Sequence, residues 1–183
     1  GGEGATAIGG SLRVNSVLTS LDLGENRIGV EGGKAIGAAL HVNGVLTSLD
    51  LSDNELCGRR ADQTDGIVAI AEALKVNSVL TSLNIDGFAL PIKQLKGTDP
   101  IDALDFSNKR LGVASAIVIA KCIEVNSVLT EIDLCGNSLG PEGWCAIFHR
   151  LRHHQENHIA NSDLNNPKLH AGVANALRQF VSV

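Results

Sequence analysis

Carboxylates recur in this sequence at one place in a repeated phrase. Asp22, Asp50, Asp105, Asp133 and Asp163 each stand just before an apolar residue, and Asn84 holds the place once. Two positions earlier come Ser20, Ser48, Ser82, Ala103, Glu131 and Asn161. Carboxylates brought side by side repel one another, and a basic partner or a cation relieves that repulsion. General acid–base catalysis needs two groups in contrasting environments, which a row of equivalent acids does not supply. The plain alternative is that each Asp is a solvated strand residue.

Other reactive residue types are less organised. His149 with His153, and His154 with His158, have the i, i+4 spacing that sets two imidazoles on one helix face. No cysteine or HExxH pattern completes a ligand set, so they read as a solvated helix end and no metal is assigned. Cys57, Cys122, Cys135 and Cys145 lack CxxC spacing and read as thiols of a reducing compartment. Trp144, the sole tryptophan, is either packing between helices or a contact residue. There is no GxxxxGK[ST] phosphate loop and no GxSxG elbow. No catalytic residue or cofactor is assigned.

The elements that position these residues follow from a repeat. VNSVLTSLDLGEN at 14–26 returns as VNGVLTSLDLSDN at 42–54, then as VNSVLTSLNID from Val76 and VNSVLTEIDLCGN from Val125. Weaker copies occupy Ile101 to Leu111 and Ile159 to Leu169. The first apolar positions, Leu18, Leu46, Leu80, Ile101, Leu129 and Ile159, are spaced by 28, 34, 21, 28 and 30 residues, giving six strand units. Alternation of Leu21 and Leu23 fits a short strand with one buried face. Ala35, Ile36, Ala39 and Leu40 make a helical stripe, which returns at Ala69, Ile70, Ala73 and Leu74 and at Val118, Ile119, Cys122 and Ile123. Asn15, Asn43, Asn77 and Asn126 follow the helices and read as left-handed helix ends.

Tandem LxxLxLxxNxLG units over essentially the whole chain resemble the leucine-rich repeats of the ribonuclease-inhibitor-like class, similar to those of NOD-like receptors and the Ran GTPase activator. The resemblance implies an α/β solenoid, a right-handed horseshoe with a parallel sheet on the concave face and helices on the convex face. It also implies an asparagine ladder, here Asn26, Asn54 and Asn137, which satisfies backbone groups of neighbouring units. It implies no single activity. For a Ran-activator-type GTPase activator, Arg27 and Arg110 are surface candidates.

Departures from the repeat carry further expectations. Phe88, Lys109 and Pro167 replace the ladder asparagine, so the ladder is discontinuous. The third unit, Leu80 to Pro100, is short and reads DGFALPIKQLKGTDP where a helix is due, predicting an irregular, turn-rich repeat near 84–100 with a local change of curvature. The second unit carries a polar insertion within Cys57 to Gly66. The register places Gly1 inside a helix. With no Met in the chain, this is read as a piece of a longer protein starting mid-repeat, residues 1–183 forming one repeat domain whose ends need covering by a partner, a further segment or a neighbouring copy.

A net charge of −5 and 3% aromatics argue against a nucleic-acid binder. The longest apolar run, near Leu111 to Ala120, is about half of what a membrane-spanning helix needs. The expected function is a non-enzymatic protein-binding scaffold, a subunit or accessory piece of a larger assembly. It would bind a basic protein partner through the acidic concave face (Ser20, Asp22, Ser48, Asp50, Asn84, Asp105, Glu131, Asp133, Asp163) or through the solenoid ends. A recognition or inhibitory receptor module is the alternative, and a GTPase activator the distant one. The expected location is intracellular, cytoplasmic unless a targeting segment has been removed.

Overall fold

The strand–turn–helix period is realised in the computed structural model, which describes residues 1–58 and 63–154, with side chains through 148. The chain opens on α1 (Gly2–Leu12) and alternates through β1 (Ser20–Asp22), α2 (Gly29–Leu40), β2 (Ser48–Asp50), α3 (Asp65–Val76) and β3 (Ser82–Asn84). Then come β4 (Ala89–Pro91), the single turn α4 (Ile92–Leu95), β5 (Ala103–Asp105), α5 (Val113–Ile123), β6 (Glu131–Asp133) and α6 (Gly140–His154). The sixth unit, with Asn161, Asp163 and Pro167, lies outside the described residues, as do His158 and the side chains of His149, His153 and His154.

Parallel pairing stacks the units in register: Leu21 faces Leu49, Leu49 faces Leu83, and Leu104 faces Ile132. The helical stripes meet the strands in one core cluster running from Ala5 to Ile147. Ile36, Ala39, Leu40, Ile70, Ala73, Leu74, Val118, Ile119, Cys122 and Ile123 are buried as the period requires. Ala35 and Ala69 are only partly buried; their backbones lie against Gly9 and Gly37 of the preceding helix, where the missing Cβ permits close approach.

The third unit breaks the pattern. Its 21 residues leave no room for a full helix, so the chain turns at Gly87 (φ 85°) and returns as β4, antiparallel to β3. Leu90, Ile92 and Leu95 fill the space a helix would occupy. The sheet therefore splits into β1-β2-β3-β4 and β5-β6. With the helical layer missing, α3 packs directly on α5. Glu72 of α3 bonds Lys121 of α5, and Lys75 lies 3.1 Å from both Glu72 and Glu124. The hydrogen bond from Lys121, and, against the effect of burial, that from Lys75, hold the Glu72 carboxyl below its ordinary range.

The asparagines after the helices are not left-handed ends, contrary to the expectation. None of the four has a positive φ, and Asn77 is extended at φ −68°, ψ 117°. The amides of Asn43, Asn77 and Asn126 instead form a second, buried ladder, with Asn15 exposed and bonded only within its own turn. Asn43 Nδ2 donates to the Leu12 carbonyl at 2.7 Å, and its Oδ1 accepts from Val45 and Leu46 N–H. Asn77 does the same with Leu40, Val79 and Leu80, and Asn126 with Leu95, Val128 and Leu129. The reason is accounting: the turn from helix to strand has orphan carbonyls on one side and orphan N–H groups on the other, and a primary amide serves both.

Lys96 repairs this ladder at the short unit. Where the next asparagine would reach back to the Asn77 carbonyl, the Lys96 ammonium donates to it at 2.6 Å while the side chain is buried. Burial holds the Lys96 pKa below the usual 10.5. Just below pH 10.5 the unfolded chain thus binds more protons than the folded one, and this group makes stability rise with pH. Raising the pH from about 8 to about 10 should shift the stability difference between wild type and Lys96→Met in favour of wild type. Parallel pH profiles in urea titrations of the two proteins would contradict this.

Candidate functional site

On the strand side the register sets Ser20 beside Ser48, Asp22 beside Asp50 and Asp50 beside Asn84 in one sheet. In the other it sets Ala103 beside Glu131 and Asp105 beside Asp133. Neighbouring strands are about 4.8 Å apart, so Asp22 with Asp50 and Asp105 with Asp133 are close like-charge pairs. The expected single stripe is interrupted, because β4 covers the edge of β3 and β5 begins a new sheet. Two acidic patches result, separated by Asn84 and β4. Asp163 lies outside the described residues.

Each aspartate also has a local task. Asp22, Asp50, Asp105 and Asp133 accept through Oδ1 from the backbone N–H two residues on, at 2.8–2.9 Å. This bond turns the chain out of the strand. Asp50 is the most engaged: Ser52 Oγ donates to Oδ1 and Asn84 Nδ2 to Oδ2. Its burial would raise the pKa, but the bonds from Ser52 and Asn84 outweigh this and hold it below the ordinary range. The Ser107 side chain and N–H hold Asp105 low as well. No salt bridge reaches these four aspartates among the described residues. The second oxygen of Asp22 and of Asp133 makes no hydrogen bond there.

The strand-side asparagine ladder is present where the sequence retains it. Asn54 Oδ1 accepts from Asn26 and Ile28 N–H, and its Nδ2 donates to the Leu23 carbonyl at 2.7 Å. Asn137 Oδ1 accepts from Lys109 and Leu111 N–H, both at 3.0 Å, and Nδ2 donates to the Phe106 carbonyl. In the preceding unit these bonds hold a turn with left-handed backbone on each side of its ladder position, Glu25 and Arg27 about Asn26 and Asn108 and Arg110 about Lys109, with φ of 52–61°. Arg27 and Arg110 are thus exposed loop residues whose backbone geometry serves the ladder. The two ladder substitutes meet each other: the Lys109 ammonium sits 5.5 Å from the Phe88 ring centroid, and Phe88 packs edge-on to Phe106.

Two functional groups escaped the sequence reading. Asp86 Oδ2 accepts from Gly112 N–H at 2.8 Å and Ser115 N–H at 3.1 Å, capping α5, which has no side-chain cap of its own. The other is Lys96. None of Cys57, Cys122, Cys135 and Cys145 is in a disulfide. Burial, aided by the charges of Asp86 and Glu142, pushes Cys57 up to about 11, and burial pushes Cys122 up to about 12. Both stay neutral thiols at physiological pH and are poor nucleophiles. Trp144 is half-buried and stacks on Phe148 at 5.6 Å, so it serves local packing. Among the described residues no group of three His, Cys, Asp or Glu side chains is placed to hold a metal, and no helix is long and apolar enough to cross a membrane.

A family model described as Leucine Rich repeat matches residues 14–37 and 42–56, the first strand unit with most of α2 and the second with its following turn. No curated protein matches the chain.

Proposed function

As the chain is a leucine-rich repeat protein, we propose that it is a non-enzymatic scaffold that holds a basic protein partner against its strand face, as one piece of a larger assembly. Leucine-rich repeats generally mediate protein–protein interaction. The observation that carries the basic partner is the pairing of Asp22 with Asp50 and of Asp105 with Asp133, with Glu131 alongside and no cation bound to them from within the described residues. A partner with basic groups at two patches relieves both repulsions and gains desolvated charge pairs. Full helices of 11 or 12 residues alternating with three-residue strands support the ribonuclease-inhibitor-like class. Four cysteines with no disulfide between them fit a reducing, intracellular setting.

Neutralisation is a cleaner test than charge reversal, because asparagine keeps the Oδ1 acceptor that each turn needs. The triple variant Asp22→Asn, Asp105→Asn, Asp133→Asn should therefore fold like wild type yet lose capture of basic proteins from an extract of its source cells. Wild-type capture should also weaken as salt rises to about 0.5 M, where the screening length is only a few ångströms. Equal retention by both proteins at every salt concentration would move the interface to the helices or the ends.

A further inference from the structure

Beside the short third unit lies a cleft of about 260 Å³ between the turn after β2 and the start of α5, lined among others by Asp53, Leu56, Cys57, Ile85, Asp86 and Val113. Irregularity in an otherwise self-consistent repeat is where function is expected to depart from folding. The volume falls short of the roughly 300–1,000 Å³ that encloses a small-molecule ligand. It suits one long side chain. Leu56 and Ile85 are buried and give an apolar floor. Asp86 spends Oδ2 on both N–H groups of α5, and its Oδ1 makes no hydrogen bond among the described residues. Asp53 is exposed at the rim. Cys57, its thiol kept neutral chiefly by burial, lines the same cleft.

An apolar floor under a half-used carboxylate matches a side chain with an aliphatic stem and a cationic head. We propose that this cleft receives a single arginine or lysine side chain of the protein partner, its stem on Leu56, Ile85 and Val113 and its charge on Asp86 Oδ1 and Asp53. The proposal rests on the reading of the chain as a binder of basic protein and adds an anchor apart from the strand face. It assigns Asp86 two tasks, one per oxygen: ending the orphan N–H groups of α5 and meeting the cation.

The test is an amide-resolved NMR titration of the whole chain with N-acetyl-arginine amide, N-acetyl-lysine amide and the neutral isostere N-acetyl-citrulline amide. The two cations should cause saturable shifts at Cys57, Asp86 and Gly112, and citrulline should not. Asp86→Asn keeps an oxygen for the α5 N–H groups and should weaken the arginine probe by about tenfold, the scale of one charge-assisted bond. Asp53→Asn, away from the helix cap, should weaken it as well and stands in if the Asp86 variant fails to fold. Shifts confined to Asp22, Asp50, Asp105 and Asp133, equal shifts with citrulline, or undiminished binding in both variants would overturn the cleft. The strand-face reading would survive that result if the triple asparagine variant still lost capture, so the two failures are separable.

Discussion

Asn77→Ala is expected to lower the unfolding free energy by about 3–5 kcal/mol. The side chain is 5% exposed and makes four hydrogen bonds. Nδ2 donates to the Leu40 carbonyl at 2.7 Å and the Asn43 carbonyl at 3.0 Å, while Oδ1 accepts from Val79 N–H at 2.9 Å and Leu80 N–H at 2.8 Å. Alanine leaves all four backbone groups without a partner, each at a cost of about 1–3 kcal/mol, and local relaxation or an entering water recovers part of the sum. The residue also joins two units, so its loss weakens a nearest-neighbour interface on which a repeat array depends for cooperativity. Asn15 is the internal control. It is exposed, and its Oδ1 bonds Val17 and Leu18 N–H of its own turn. Asn15→Ala should cost about 1 kcal/mol or less, since water replaces the lost acceptor. Urea unfolding followed by circular dichroism separates the two. Equal losses would mean that the buried ladder contributes nothing beyond its local turns.

The strand–turn–helix unit was legible because burial alone dictates it. Leu21, Leu49, Leu83 and Leu104 share one place in the period and face the core from parallel strands. The irregular third unit was legible too, since Gly87 and Pro91 fall where a helix is due. Its consequences were not. Asp86 and Lys96 act on groups 26 residues ahead and 19 residues behind, and those distances become contacts only once the hairpin replaces a helix. The asparagines after the helices were misread for a related reason. Asparagine suits both a left-handed residue and a two-sided amide bridge, and only the tertiary structure brings the preceding unit's carbonyls within reach. Conversely, left-handed positions include Glu25 and Arg27, types that local propensity would not choose. Backbone bonds between units and the Asn54 amide hold them there. The acidic residues of the strand face could be named from the sequence, but their division into two patches depended on which strands pair.

Gly37→Ala should destabilise the protein by about 2 kcal/mol, whereas Gly10→Ala should stabilise it by about 0.5–1 kcal/mol, although both glycines lie within helices. Intrinsic propensity favours alanine at each site, because glycine loses more backbone freedom on folding. Packing decides the sign. A Cβ on Gly37 would lie 2.7 Å from the carbonyl carbon and oxygen of Ala69 and 2.9 Å from Ile70 N, all backbone atoms of α3. No rotamer change relieves that overlap, so α2 and α3 must separate and loosen the buried Ile36, Leu40 and Ile70 between them. Gly9, 28 residues earlier, meets the Ala35 carbonyl oxygen of the next helix at 2.8 Å and should respond like Gly37. A Cβ on Gly10 meets nothing within 4 Å, so only the entropic gain remains. Thermal melts of the two variants against wild type give opposite shifts if close helix stacking sets the repeat spacing. A gain in stability at both sites would mean that the helices yield readily, and that the recurrent glycines reflect something other than backbone contact.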